Sequence, residues 1–231
     1  MLSVRGLHAW YGKSHILQGV ELDVAAGEIV TLLGRNGVGR STTVKAIMGD
    51  VERRGEIRFQ GERIDTLQAH QIAHRGIGCV PEDRQVFPTL TVRQNLLLGF
   101  RTKARPGRWT IADAFSLFPR LEERADTLAG ALSGGEQQLL SMTRTLMGDP
   151  DLVLIDEPTE GLAPMMVDQV RGLILEIARR GSSILLVEQK LTIALKVADR
   201  ALVMGHGRIV FDGKPSEIET NDQVRREFLE V

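Results

Sequence analysis

Residues 28–42 read EIVTLLGRNGVGRST, an apolar run followed by a glycine-rich loop and a hydroxyl pair. A continuous apolar run of this length is typical of a strand that is covered on both faces. The loop fits the spacing Gly-x4-Gly-Lys-Ser/Thr, with Gly34, Gly39 and Ser41 at the required positions. The order strand, loop and helix therefore predicts a phosphate-binding loop.

The chemistry of this loop follows from its residue types. Glycines let backbone N–H groups converge on an anion without Cβ clashes, and the following helix N-terminus adds partial positive charge. Arg40 stands where the template has lysine, and its planar fork keeps the charge but is bulkier, so we expect ATP binding to survive. The hydroxyl of Ser41 is expected to ligate Mg²⁺. The residues expected to contact ATP are Gly34, Arg35, Asn36, Gly37, Val38, Gly39, Arg40, Ser41 and Thr42.

Two alternatives apply to the glycine-rich segment. A dinucleotide-binding loop requires Gly-x-Gly-x-x-Gly, but Gly37 and Gly39 are followed by Thr42 where that pattern needs glycine. A glycine-rich loop without any ligand is the other alternative, and the ordered succession of strand, loop, hydroxyl and helix argues against it.

A second apolar run ends in two acids. Residues 152–158 read LVLIDEP, and a buried strand that ends in carboxylates needs a cationic partner because an unpaired buried charge is costly. A nucleotide-bound Mg²⁺ supplies that partner, so Asp156 is expected to hold the metal. Glu157 is expected to orient and deprotonate an attacking water. The alternative is that both acids cap the next helix.

The remaining periodicities indicate an α/β protein. Strand patterns occur through residues 1–33, 76–80, 152–155 and 184–187, with helical patterns between them, which predicts a sheet with helices on its faces. The stretch 91–148 contains no strand pattern and is predicted to be a helical insertion. Capping boxes are predicted at Thr91–Gln94 and Ser216–Glu219, and residues 101–108 are predicted to form an exposed loop.

Composition narrows the functional classes. The 231 residues carry a net charge of −1, which argues against a surface built to bind nucleic acid or anionic lipid. A single cysteine, Cys79, excludes an internal disulfide and is expected to be a buried structural thiol. No signal-peptide pattern and no apolar window near 20 residues occur, so we expect another chain to provide any membrane anchor. His70 and His74 lie four residues apart but lack a third ligand, so we expect no zinc site there.

Residues 132–138 read LSGGEQQ and precede the acidic strand. Taken alone, Ser133 and Glu136 form a capping box. Together with the phosphate loop, this segment resembles the signature of ABC transporter ATPases, and the resemblance covers nearly the whole chain. It implies that residues 1–231 form one nucleotide-binding domain with a P-loop NTPase (RecA-like) core, an N-terminal antiparallel β-subdomain and an inserted helical subdomain over 91–148. The signature residues, implied to bind the γ-phosphate of ATP held by an opposite subunit, are Ser133, Gly134, Gly135 and Glu136.

The resemblance extends to further positions. Tyr11 matches the aromatic residue that stacks on adenine, although Trp10 is its neighbour. Glu82 stands where the family usually has the glutamine of its Q-loop, and a carboxylate there is able to ligate Mg²⁺. Gln189 stands where most members carry a switch histidine; its amide can donate to the γ-phosphate but cannot carry a proton charge. With Glu157, it completes the catalytic residues that the resemblance implies.

The departures from the family pattern favour one branch. Glu82, the run EGLAP over 160–164, FPTLTV over 87–92 and VEQ over 187–189 look similar to ATPases of branched-chain amino acid importers. A urea or short-amide importer ATPase is a close alternative. The resemblance implies an ATPase that is peripheral to the cytoplasmic face of the inner (plasma) membrane and works with permease subunits, a second ATPase chain and, indirectly, a solute-binding protein.

Two rival functions stay open at this stage. A soluble ABC-type ATPase of DNA repair or translation usually carries large insertions or two cassettes, for which 231 residues leave no room. A nucleotide-binding regulator with little hydrolysis is prompted by the unusual residues Arg40 and Gln189. We expect no nucleic-acid partner.

Overall fold

The computed structural model describes residues 1–101, 107–189 and 191–229. In chain order the strands are β1 (Leu2–Tyr11), β2 (Ser14–Val24), β3 (Ile29–Leu33), β4 (Glu52–Phe59), β5 (Glu62–Arg63), β6 (Ile77–Val80), β7 (Leu152–Asp156), β8 (Ser183–Val187), β9 (Arg200–Gly205) and β10 (Arg208–Gly213). The helices are α1 (Arg40–Met48), α2 (Ala69–Arg75), α3 (Val92–Leu98), α4 (Ile111–Leu117), α5 (Pro119–Glu123), α6 (Gly134–Met147), α7 (Pro164–Arg179), α8 (Leu191–Val197), α9 (Pro215–Thr220) and α10 (Asp222–Val224).

The larger sheet has the order β10-β9-β3-β8-β7-β6. All its neighbouring pairs are parallel except β9 with β10. Every residue of β3, β7 and β8 is buried, as their apolar runs predict. Successive residues of β7 face opposite sides: Val153 and Ile155 join one core cluster, whereas Leu152 and Leu154 join another. The sheet is therefore covered on both faces.

The register of the larger sheet brings two sequence motifs to one edge. Val187 of β8 lies opposite Leu32 of β3 on one side and Asp156 of β7 on the other. Because these strands are parallel, their carboxyl ends meet at the same edge. The predicted phosphate-binding loop follows β3, and the two acids lie at the end of β7. A single strand, β8, therefore separates the loop from the acids.

A second sheet is antiparallel and has the order β2-β1-β4-β5. Its inner side chains, such as Val4, Leu7 and Leu17, pack with α1 residues such as Ile47 into the core cluster that also covers one face of the larger sheet. The N-terminal β-subdomain therefore packs on the same core cluster as α1, the helix that follows the predicted phosphate-binding loop.

Helices α3 to α6 cover the opposite side of the larger sheet and share a core cluster with β7 and β8. The predicted capping box opens α3, with the Gln94 amide N donating to Thr91 Oγ1 over 3.1 Å and the Thr91 amide N donating to Gln94 Oε1 over 2.9 Å. An isolated bridge between Thr91 and Leu128 ties the start of this segment to its middle.

One local prediction is wrong, and another falls mostly outside the described residues. Ser216 does not cap a helix, because α9 already begins at Pro215, whose fixed φ suits the first helical position. Most of the predicted exposed loop, residues 102–106, lies outside the described residues, but its end Arg108 is part-buried. Arg108 Nε donates to Asp149 Oδ1 over 2.7 Å, and Nη2 donates to the Pro150 carbonyl over 2.7 Å.

Over the described ranges, no helix combines the length and hydropathy that crossing a bilayer requires.

Candidate active site

The loop between β3 and α1 depends on glycine at two points. Gly34 has φ 154°, and a Cβ there would lie 2.7 Å from the Met204 carbonyl oxygen. Gly39 has φ 113°, and a Cβ there would lie 2.8 Å from Leu17 Cδ2. A larger residue at either position would collide with its packed neighbours. As far as the described residues show, no side chain caps the N-terminus of α1, which leaves its first-turn N–H groups for an anion.

Two adjacent cavities open beside this loop. One has a volume of about 330 Å³ and the other about 600 Å³, and Glu82 lines both. The first is lined by Ile16, Asn36, Gly37, Gly39, Arg40, Ser41, Thr42, Glu82, Glu157 and Glu160. The second includes Tyr11, Lys45, Cys79, Glu82 and Asp156 among its lining residues.

The predicted metal residues Ser41 and Asp156 meet directly. Ser41 Oγ donates to Asp156 Oδ1 over 3.1 Å, and Asp156 is 3% exposed. Burial raises the pKa of Asp156 to about 6, the nearby Glu82 adds to the rise, and the Ser41 hydrogen bond opposes it. A hydroxyl and carboxylates form the hard oxygen donor set that Mg²⁺ prefers, and the buried carboxylate lacks full charge compensation. The residues therefore fit a magnesium ion.

The charge on Asp156 gives a stability prediction. Its pKa of about 6 in the folded chain lies above the ordinary value of 3.8, so the folded state binds the proton more tightly and stability falls as pH rises from about 4 to 6. Asp156→Asn removes the buried charge, and we expect it to raise the free energy of unfolding of the metal-free chain at pH 7.5 by about 1–2 kcal/mol. That gain corresponds to about 3–6 °C in Tm.

Thermal unfolding with EDTA, followed by circular dichroism, measures this effect. The exposed Asp126→Asn is the matched control and should leave Tm unchanged. Magnesium and ATP should stabilise the wild type more than Asp156→Asn. A lower Tm for Asp156→Asn in EDTA would contradict the electrostatic account of this carboxylate.

Arg40 and Glu157 form a buried ion pair. Arg40 Nη2 donates to Glu157 Oε1 over 2.7 Å and to Asn36 Oδ1 over 2.8 Å. The side chains of Arg40 and Glu157 are 4% and 11% exposed. Burial raises the pKa of Glu157, and the guanidinium opposes the rise. Glu157 has φ 44°, a left-handed conformation that is strained for a residue other than glycine, so this carboxylate is held by backbone and partner alike.

Not every predicted ATP contact faces the first cavity. The Arg35 side chain donates through Nη2 to the Arg226 carbonyl over 3.1 Å, and Val38 packs against the core cluster. Gly34 is buried against Met204. Only backbone groups of these three residues are placed to contribute to the loop.

Tyr11 ends β1 and lines the second cavity with its side chain 46% exposed. Its neighbour Trp10 is already occupied, because its ring stacks on His15 at 4.7 Å between centroids. The geometry therefore favours Tyr11 over Trp10 as the free aromatic surface for a base.

Removal of the Tyr11 ring should weaken ATP binding. A base–aromatic stack contributes about 1–3 kcal/mol, and for a half-exposed ring we expect about a tenfold rise in the Kd for ATP in Tyr11→Ala. Tyr11→Phe should stay within about twofold of the wild type. Equilibrium titration with a fluorescent ATP analogue measures both, with Trp10→Ala as the control. Unchanged affinity in Tyr11→Ala would contradict the assignment.

The signature segment forms the start of α6. The Ser133 amide N donates to Glu136 Oε2 over 2.8 Å, and the Glu136 amide N donates to Ser133 Oγ over 3.4 Å. Ser133 is exposed, and the four signature residues are absent from the described linings of both cavities. Within one chain, the structure does not bring the signature segment together with the predicted phosphate-binding loop.

Gln189 follows β8 and is exposed, and it is also absent from the described cavity linings. The preceding Glu188 is 2% exposed and accepts a hydrogen bond of 2.7 Å from Thr159 Oγ1. This contact joins the segment after β7 to the segment after β8. The sequence analysis did not predict this contact. The signal available for Glu188 was an acidic residue directly after an apolar strand pattern.

Sequence reasoning also missed Arg84. It adopts φ 61°, and a Cβ on Gly134 would collide with its Nη1. The Arg84 guanidinium therefore lies at the N-terminus of α6.

The rings of His70 and His74 are nearly perpendicular, at 86°, with centroids 6.4 Å apart. Within the described residues no group of three or more His, Cys, Asp or Glu is placed to hold a metal. Cys79 is part-buried, and burial raises the pKa of its thiol to about 12, which disfavours the reactive thiolate.

The geometry defines a class: an α/β phosphate-loop ATPase with hydroxyl and carboxylate groups beside its loop. Comparison with known proteins identifies the family. The profile of the ABC transporter family matches residues 17–160. The chain is 42% identical over 231 residues to the high-affinity branched-chain amino acid transport ATP-binding protein BraG of Pseudomonas aeruginosa, covering 99% of both chains. It is 34% identical to the lipopolysaccharide export system ATP-binding protein LptB of Haemophilus influenzae, covering 99% of this chain and 97% of LptB.

Among solved structures, a nucleotide-free ATP-binding cassette from an ABC transporter superposes with a TM-score of 0.85 at 27% identity, covering 98% of this chain and 97% of that one. The chain therefore belongs to the ABC transporter family and is an ATPase that binds ATP. The sequence-based predictions of this family and of its fold are confirmed.

Proposed function

We propose that this chain is the ATP-hydrolysing subunit of an importer for branched-chain or related amino acids. The observation that carries the proposed catalytic site is the meeting of Ser41, Asp156 and Glu157 beside the phosphate-binding loop. The solute class is supported by the 42% identity to BraG over nearly the full length of both chains.

Each group in the site has a distinct proposed role. The loop N–H groups and Arg40 bind the phosphates, while Ser41 and Asp156, with Glu82 nearby, would hold Mg²⁺. When bound, the metal neutralises charge on the phosphate oxygens. Glu157 orients a water and takes its proton as the water attacks the γ-phosphate. Burial raises the pKa of this carboxylate, which makes it a stronger base.

A second ATPase chain completes the proposed site. The exposed start of α6 offers Ser133, Gly134, Gly135 and Glu136 to ATP held by the opposite chain, and Gln189 acts as the switch residue. In the cell the second chain is a different ATPase, whereas the isolated protein can form a homodimer. We propose that residues 91–148 form the helical subdomain that carries the signature within a single domain of 1–231.

A surface for permease subunits lies in the same helical region. Large apolar side chains are exposed in its first turns, namely Leu97, Leu98 and Phe100, and Phe87 is exposed just before it. Exposed apolar residues at such density are typical of a protein interface. The chain would thus be peripheral to the cytoplasmic face of the membrane, coupled indirectly to a solute-binding protein and without a nucleic-acid partner.

An exporter ATPase is the second candidate, because the similarity to LptB also spans nearly the whole chain. Reconstitution of the chain with its permeases and solute-binding protein in liposomes separates the candidates. An importer requires that a branched-chain amino acid, with its binding protein on the outside, stimulates ATP hydrolysis and accumulates inside. Hydrolysis that ignores the amino acid and its binding protein would contradict the import proposal.

Leu98→Asp tests the permease surface. Leu98 is 56% exposed, so we expect a charge there to leave the fold intact but to reduce co-purification with the permeases at least fivefold. Leu175→Asp, on the exposed face of α7, is the matched control. Equal permease recovery with both variants would contradict the placement of the docking surface.

A further inference from the structure

The two terminal nitrogens of the Arg40 guanidinium have different surroundings. Its Nη2 is engaged by Glu157 Oε1 at 2.7 Å and by Asn36 Oδ1 at 2.8 Å. Its Nη1 is a buried donor that has no hydrogen-bond partner among the described residues. Such an unpaired buried donor is unfavourable, so the arrangement indicates a missing acceptor. Arg40 lines the cavity beside the loop, where phosphate oxygens supply acceptors.

The surroundings of Glu157 indicate what the hydrogen bond from Arg40 Nη2 does for this carboxylate. The Glu157 side chain shares its cavity with the acids Glu82 and Glu160, and Arg40 lies against it as a cation in the same cavity. The Glu157 amide N is fixed by a hydrogen bond of 3.0 Å to the Val187 carbonyl. The backbone thus places the residue, while Arg40 fixes the carboxylate.

We propose that Arg40 is a positioning residue that serves two anions at once. Nη2 keeps Glu157 in place as the general base, while Nη1 donates to a phosphate oxygen of the bound nucleotide. Lysine, the usual residue at this position of the loop template, has a single nitrogen on a flexible stem and lacks this fixed fork. The proposal rests on the proposed function, because it assumes that ATP binds in the loop and that Glu157 is the base.

A competing arrangement makes a different prediction. If the guanidinium must leave Glu157 in order to reach the phosphate, the ion pair is a brake that ATP has to break. Loss of the pair would then speed hydrolysis or strengthen nucleotide binding. The two arrangements are therefore distinguishable by variants that alter the fork and the carboxylate separately.

Arg40→Lys, Glu157→Gln and the double variant test the proposal. Binding of AMP-PNP with magnesium is measured by titration, and kcat and KM are measured for the wild type and Arg40→Lys with the partner ATPase present. We expect Arg40→Lys to keep the AMP-PNP affinity within about threefold and to lower kcat at least tenfold with little change in KM. The effects of the two substitutions on AMP-PNP affinity should multiply. The exposed Arg54→Lys is the control.

A kcat for Arg40→Lys that equals or exceeds the wild-type value would overturn the proposal. So would a coupling of more than fivefold between the two substitutions in AMP-PNP affinity, which the brake predicts. If wild-type protein fails to bind AMP-PNP at all, the proposed function fails instead, so the two failures are distinguishable.

Chemical rescue covers the case in which Arg40→Lys does not fold. In Arg40→Ala, we expect methylguanidine to restore kcat at least fivefold, because it supplies both ends of the fork. Methylamine supplies one nitrogen and should restore kcat less than twofold. Equal rescue of kcat by the two amines would overturn the proposal.

Discussion

Glu157→Gln should abolish ATP turnover while leaving the nucleotide bound. The amide keeps the size of the side chain and still accepts a hydrogen bond from Arg40 Nη2, but it cannot take a proton from water. General-base catalysis contributes about 10²–10⁴ in rate, so we expect kcat to fall at least about 100-fold. Steady-state phosphate release, with the partner ATPase present, measures the effect.

The matched control is Glu123→Gln, which changes an exposed carboxylate in the helical region. Its side chain is 62% exposed and pairs with Arg120 across the surface, so turnover should be unchanged. Equal turnover in Glu157→Gln and the wild type would refute the role of Glu157. No turnover in any form would contradict catalysis by this site and favour a regulator.

Arg40→Ala should weaken ATP binding more than any other single change near the loop. A hydrogen bond to a charged group contributes about 1.5–3 kcal/mol, which corresponds to about a 10- to 100-fold rise in the Kd for ATP. The change also leaves Glu157 without its cation beside Asp156 and Glu160, so like charges face the incoming phosphates. Isothermal titration with ATP and magnesium measures the Kd.

Arg54→Ala, an exposed residue of β4, provides the control for loss of an arginine. Circular dichroism should show that Arg40→Ala keeps its secondary structure, so that weak binding is not unfolding. An unchanged Kd for ATP in a folded Arg40→Ala would refute the phosphate role of this residue.

The elements nearest the site were predictable because their signals are local. The apolar runs of β3 and β7, the loop glycines and the capping box at Ser133 each depend on a few adjacent residues. Gly34 and Gly39 are good examples, because the packing that excludes a Cβ at each position coincides with the spacing that the loop template requires.

Contacts between distant segments were not predictable in the same way. Arg40 and Glu157 are separated by 117 positions in the sequence, and nothing in the spacing of either motif indicates that they pair. Thr159 and Glu188 likewise meet only because β7 and β8 are adjacent in the sheet. The Ser216 box failed for a different reason: two motifs competed for one helix start, and Pro215 at the first helical position prevailed.

The central claim is that the loop over residues 34–42 wraps the triphosphate of ATP beside a magnesium ion. A crystal structure of Glu157→Gln with ATP and magnesium tests it most directly. We expect the phosphates within hydrogen-bond distance of the loop N–H groups, with the metal on Ser41 Oγ and near Asp156. An empty loop, or nucleotide bound elsewhere while the loop N–H groups diverge, would contradict the account.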